Sequence, residues 1–277
     1  MTETNAIRVR PAVTLHHTRD TRFKTARLSL FTVMPADRDE SPLLTLLFGI
    51  LRRGSEKYPR LSLLNRRLDE LYGTTLTIRN YLHGDAHVVC YTAEMPEKTF
   101  LPDTEEGADI LGGVMELLAD MLLHPLREGD GTLRTEAVER EKQSLTDSLR
   151  SLKNDTRAYS GNRLRELMCD GEPYGLSIGG TVEQVAAMTP AAVTACYRRL
   201  LSRIRMEVFY TGRVASDEVA QAFERAFGDW NPEAAPAVAT ACHVPASAPQ
   251  SVTEDMAVSQ GKLCMGWSCG DTFKTDF

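Results

Sequence analysis

The sequence predicts an α+β fold, because two kinds of hydrophobic pattern occur side by side in it. Residues Ala26 to Leu30 alternate apolar with polar, the period of a half-buried strand. Leu64, Leu68 and Leu71 recur at the spacing of one helix face. The 277 residues, 42% apolar and 25% charged, suffice for a sizeable core in one large or two modest domains. How the strands pair is not written in these patterns.

Taken in order, Val13 to Leu15 and Ala26 to Val33 read as strands. From Ser41 to Gly54, Leu43, Leu44, Leu46, Leu47, Phe48, Ile50 and Leu51 leave almost no polar face, so a helix here must be enclosed by protein. Ser41 suits its N-cap, Pro42 its first turn, where a missing N–H is not needed, and Gly54 a left-handed position after its last turn. A second helix stops at Gly73. Strands Thr74 to Tyr81 and His87 to Ala93 follow, joined by a turn at Gly84-Asp85.

Three helices come next: Ile110 to Leu123, closed by Pro125; Leu133 to Ser151; and Arg157 to Met168. After a loop from Pro173 to Gly180, Thr181 and Gln184 form a capping box, and Thr189-Pro190 open a helix reaching Leu201. Met206 to Tyr210 is a strand and Val219 to Phe227 an amphipathic helix. The Pro- and Ala-rich residues 231–250 read as a linker, and Lys262 to Trp267 as the first strand of something further. The predicted organisation is a domain over residues 1–230, a linker over 231–250 and the start of a second, truncated domain over 251–277.

The run Gly54-Ser55-Glu56-Lys57-Tyr58-Pro59 resembles the Gly-Thr-x-x-Tyr-Pro-like turn after the zinc-binding helix of the insulinase/pitrilysin-type peptidases, which include the mitochondrial processing peptidase. Tyr174-Gly175, Gly180-Thr181 and Met188-Thr189-Pro190, with the Tyr197 helix and a strand ending in Gly212, resemble the segment after that family's active-site helices. Leu68 to Thr74 is similar to its helix-to-strand corner. Together with Phe23-Lys24-Thr25 the likeness is to the bacterial YmfF-type members, which go with a YmfH-type partner that retains H-x-x-E-H. It covers most of residues 10 to 230. The resemblance implies a mixed, largely antiparallel sheet with helices packed mainly on one face, and homology between the first domain and the one beginning at 251.

In that family H-x-x-E-H sets two imidazoles four residues apart on one helix face to hold zinc, and the Glu takes a proton from the metal-bound water. At the family's spacing back from Gly54, the first His falls on Thr45, the Glu on Phe48 and the second His on Gly49. The third ligand, a Glu after an E-R-E-like run, falls on Ser148 when counted from Glu139-Arg140-Glu141. None of these four positions carries its counterpart's chemistry. No catalytic residue, metal ligand or cofactor is therefore expected in this chain, zinc being expected only in a partner. Losing metal and base together removes much of an enhancement of at least about 10⁶-fold.

The resemblance thus implies a non-catalytic subunit of an insulinase-type peptidase pair, lining a chamber for peptide or unfolded protein beside a homologous zinc subunit that carries H-x-x-E-H. An alternative is a stand-alone peptide-binding or maturation factor, linked through YmfF-type relatives to modification of elongation factor P. A third reading is a hydrolase using another site, for which His83, Asp85 and His87 are the candidates. The turn chemistry of Gly84-Asp85 argues that these two rings splay apart.

Other classes find no support. A net charge of −6 and an isoelectric point near 5.6 disfavour a nucleic-acid backbone or an anionic membrane as partner. No apolar run reaches membrane-spanning length and the first residues lack a secretion signal, so a cytoplasmic location is expected. Six cysteines without zinc-type spacing are expected to be reduced and mostly buried. There is no Walker loop and no Gly-x-Ser-x-Gly elbow. His16 and His17 are expected on opposite faces of a strand, His124 at a helix C-terminus, and Glu136, Glu139 and Glu141 on a solvated helix face.

Overall fold

The alternating segments of the chain assemble into strands β1 (Thr4–Arg10), β2 (Val13–Arg19), β3 (Thr25–Pro35), β4 (Thr75–His83), β5 (Ala86–Pro96) and β7 (Met206–Gly212). They form one sheet in the order β1-β2-β7-β3-β5-β4. Only β2 and β7 run parallel; the other four pairs are antiparallel. The computed structural model describes residues 4–102, 109–240 and 248–267. The β4–β5 hairpin turns tightly at Gly84-Asp85, where Gly84 takes φ 55°, a conformation open to glycine at little cost.

Helices α1 (Glu40–Leu51), α2 (Leu61–Glu70), α3 (Ile110–Leu123), α4 (Thr135–Ser151), α5 (Thr156–Met168), α6 (Val182–Ala187), α7 (Pro190–Ser202) and α8 (Ser216–Phe227) lie mainly on one face of this sheet. Leu28 and Leu30 of β3, Val89, Tyr91, Ala93 and Met95 of β5, and Val208 and Tyr210 of β7 point into the core that these helices close. α1 packs against α4 and α7, and α3 against α8. Because α1 has protein on nearly every side, its sequence needs no polar face, as its leucines foretold.

The mixed, largely antiparallel α+β architecture is the one the family resemblance implied, and α3 has the bounds expected from the sequence. The capping box forms as Thr181 Oγ1 accepts from Gln184 N, while Gln184 Oε1 accepts from Thr181 N. Thr189 caps α7 in the same way, accepting from Ala192 N at 3.2 Å.

Several details differ. Strand β1 was not foreseen, since an edge strand is largely exposed and its alternation rests on Ile7 and Val9 alone. Ser41 is not the N-cap of α1. The helix begins at Glu40, because Asp37 Oδ1 accepts from the backbone N–H groups of both Asp39 and Glu40 and so meets donors the first turn leaves free. Gly54 is extended at φ 159° rather than left-handed; a side chain there would put its Cβ 2.6 Å from the Tyr58 carbonyl oxygen.

Within 231–250, Glu233–Ala234 form strand β8, which pairs in parallel with β6 (Arg203–Ile204). Residues 241–247 of that stretch and 268–277 lie outside the described residues. Lys262 to Trp267 form no strand, and Leu263, Met265 and Trp267 stand exposed; among the described residues no strand pairs with their backbone. Cys90 and Cys196 are buried, Cys169 is half-buried and Cys264 exposed, all as free thiols; Cys242 and Cys269 lie outside the described residues. Among the described residues no helix is long and apolar enough to cross a membrane.

Candidate functional site

The motif positions Thr45, Phe48 and Gly49 sit on one stretch of α1, and each is engaged by a different neighbour. Thr45 Oγ1 donates to the Ile178 carbonyl at 2.7 Å and accepts from Asn80 Nδ2 at 3.0 Å. One hydroxyl thereby joins α1, strand β4 and the loop before α6. The other end of Asn80, its Oδ1, accepts from His87 Nε2 on β5. With Nε2 as donor, His87 is the neutral tautomer whose Nδ1 carries a lone pair, and that atom is buried without a partner. Burial pushes the His87 pKa down to about 4.

Phe48, where the family spacing leads one to expect the catalytic Glu, is buried and meets the edge of the Tyr91 ring, centroids 6.1 Å apart. Burial also raises the Tyr91 phenol, whose oxygen has no hydrogen-bond partner in the core. The floor of the site is thus aromatic and buried rather than basic.

At Gly49 the space for a side chain is taken. An ideal Cβ would stand 2.6 Å from the carboxyl carbon of Glu141 and closer still to its Oε1. Glu141 comes from α4, is 6% exposed, and receives the Arg53 Nε hydrogen bond on Oε2. This corrects the expectation that Glu136, Glu139 and Glu141 share a solvated face. Glu136 pairs with Arg140 and Glu139 with Lys142 along the outside of α4, whereas Glu141 alone turns inward. A signal for this was present: Val138, Glu141, Leu145 and Leu149 recur at helical spacing, so Glu141 lies in the buried stripe of α4. Ser148 lies two turns further on, exposed, its hydroxyl donating to the Ser144 carbonyl at 2.9 Å.

Zinc does not fit this arrangement. Phe48 offers no donor and no base, Gly49 no side chain, and the one carboxylate at hand is already neutralised by Arg53. Among the described residues no three His, Cys, Asp or Glu side chains converge on a possible metal position.

The remaining histidines serve packing. His16 stacks on Phe209 at 4.3 Å and bonds Glu207, while His17 turns to the other face and bonds the Val214 carbonyl at 2.8 Å, the opposed arrangement expected of strand neighbours. In the β4–β5 register Leu82 is opposite His87 and His83 opposite Ala86, so His87 faces the core and His83 the other side. The rings are splayed, and His83, Asp85 and His87 do not form a centre. His124 caps the C-terminus of α3.

Comparison with known proteins gives this geometry its context. A family model described as the peptidase M16 inactive domain matches residues 187–276. The probable inactive metalloprotease YmfF of Bacillus subtilis (strain 168) is 28% identical over 262 residues, covering 94% of this chain. The chain spans 60% of that relative's length. Among solved structures, a conserved protein from Enterococcus faecalis V583 superposes with a TM-score of 0.77 at 24% identity, over 86% of this chain and 54% of the other. A peptidase M16 inactive domain from Pseudomonas fluorescens does so with a TM-score of 0.64 at 12% identity, over 88% and 54%. The likeness read from the Gly54–Pro59 turn and its companions points to the same proteins: the chain is similar over nearly all its length to a probable inactive metalloprotease, and it shares the fold of M16-type peptidase domains.

Proposed function

We propose that this chain is the non-catalytic half of an M16-type peptidase pair, forming one wall of a peptide chamber while a homologous partner supplies zinc, its two histidines and the glutamate. The observation that carries the reading is the state of α1: the scaffold of a peptidase is kept, but Thr45, Phe48 and Gly49 are all committed to internal contacts. A wall of this kind holds substrate through backbone and apolar contacts rather than chemistry. Strand β4 supplies the means, for it closes one end of the sheet, and among the described residues no strand pairs with its outer backbone edge, to which an extended peptide can add as a further strand.

Affinity purification of the full-length protein from its own cells, with mass spectrometry of what accompanies it, tests the pair. Near-stoichiometric recovery of a homologue carrying H-x-x-E-H is the expected result. Recovery of the chain alone, or with clients only, overturns the pair and leaves a stand-alone peptide-binding or maturation factor. The purified chain by itself is expected to cleave no peptide in a chelator-sensitive way.

A further inference from the structure

We infer that Arg53 is the counter-cation of the buried Glu141, so that α1 is locked to α4 by an ion pair and restoring the three motif residues does not by itself restore a zinc site. The inference rests on the vacant-motif reading but not on the existence of a partner.

The geometry assigns both oxygens of Glu141. Oε1 lies in the space a side chain at Gly49 would fill, and Oε2 accepts from Arg53 Nε. A carboxylate that is 6% exposed needs a counter-charge, since an unpaired buried anion is strongly disfavoured. Arg53 is well placed to give it. It lies one helical turn beyond Gly49, just past the C-terminus of α1, where a cation also complements the helix dipole. The counter-charge is supplied by the chain itself, so the lock needs no metal supply.

Gly49, Arg53 and Glu141 therefore form a matched set. Any side chain at 49 must displace Glu141, and any metal placed between α1 and α4 must compete with a guanidinium already there. A histidine installed at 49 would meet the Glu141 carboxylate, which already fills that space and is paired with Arg53.

Two measurements test this. The first compares zinc affinity, by competition of zinc ion against a chromophoric chelator, for Thr45→His/Phe48→Glu/Gly49→His with and without Arg53→Met. Removing Arg53 is expected to tighten zinc binding on the order of tenfold or more; equal affinity in the two variants overturns the inference. Because a glutamate at 48 and a histidine at 49 enter a packed region, the second uses the otherwise native chain. Arg53→Met, Glu141→Gln and the double variant are melted with zinc and with chelator. The expected result is that each single change lowers the melting temperature, the double lowers it no further than the worse single, and neither zinc nor chelator moves the wild-type value. Strictly additive shifts, or a wild-type transition raised by zinc, overturn it. These readouts concern the chain alone, so a failed search for a partner leaves them unaffected.

Discussion

Glu141 lies against Gly49 so closely that the carboxylate of one helix fills the side-chain space of the other. In an exposed helix, Gly→Ala stabilises by up to about 1 kcal/mol through backbone entropy. Here the added methyl must push Glu141 off Arg53, and overpacking of this kind costs about 1–3 kcal/mol. Gly49→Ala is therefore expected to destabilise in urea titration. A gain in stability would mean that Glu141 moves freely.

Thr45→Val keeps the shape of the side chain and deletes its hydroxyl. The Ile178 carbonyl and the Asn80 amide then each lose a partner, and a desolvated polar group left unpaired costs about 1–3 kcal/mol. Amide hydrogen exchange in the 173–180 loop should speed up with the loss. Unchanged exchange there would show that Thr45 does not tether it.

His87 gives acid sensitivity of a definite sign. Its pKa is about 4 in the fold and near 6.5 unfolded, so between those values the unfolded chain binds more protons. The stability it contributes is complete above about pH 6.5 and falls as pH drops toward 4, by at most about 1.4 kcal/mol per pH unit. His87→Gln should flatten this part of the stability profile in denaturation measured from pH 7 to pH 4. A wild-type-like slope in the variant would assign the sensitivity to other groups.

Glu97 acts in the opposite direction. Burial raises its pKa, although its Oε1 accepts from Arg213 N at 2.6 Å. A carboxyl group with a raised folded pKa binds more protons folded than unfolded, so its contribution is complete below about 4.5, the ordinary glutamate value, and is lost as pH rises. Glu97→Gln keeps an acceptor for Arg213 N and should melt higher than wild type at pH 8, with the difference shrinking toward pH 4.5. A variant that melts lower at pH 8 would mean the charge itself is needed.

The sequence by itself determined the elements whose cause is local: the leucine-rich α1, the capping box at Thr181, the Thr189-Pro190 helix start, the Gly84 turn that splays His83 from His87, and the absence of H-x-x-E-H at Thr45, Phe48 and Gly49. These depend on residues within a few positions of one another, where period and turn chemistry act. Only the tertiary structure decided what fills the vacancy. Gly49 and Glu141 are brought together by packing of α1 on α4, as are Thr45, Asn80 and His87 by the β4–β5 hairpin folding under α1. No local pattern distinguishes Glu141 from Glu136 and Glu139 by charge alone. What separates them is which side of α4 turns inward, and that is fixed by the burial of Val138, Leu145 and Leu149 beside it.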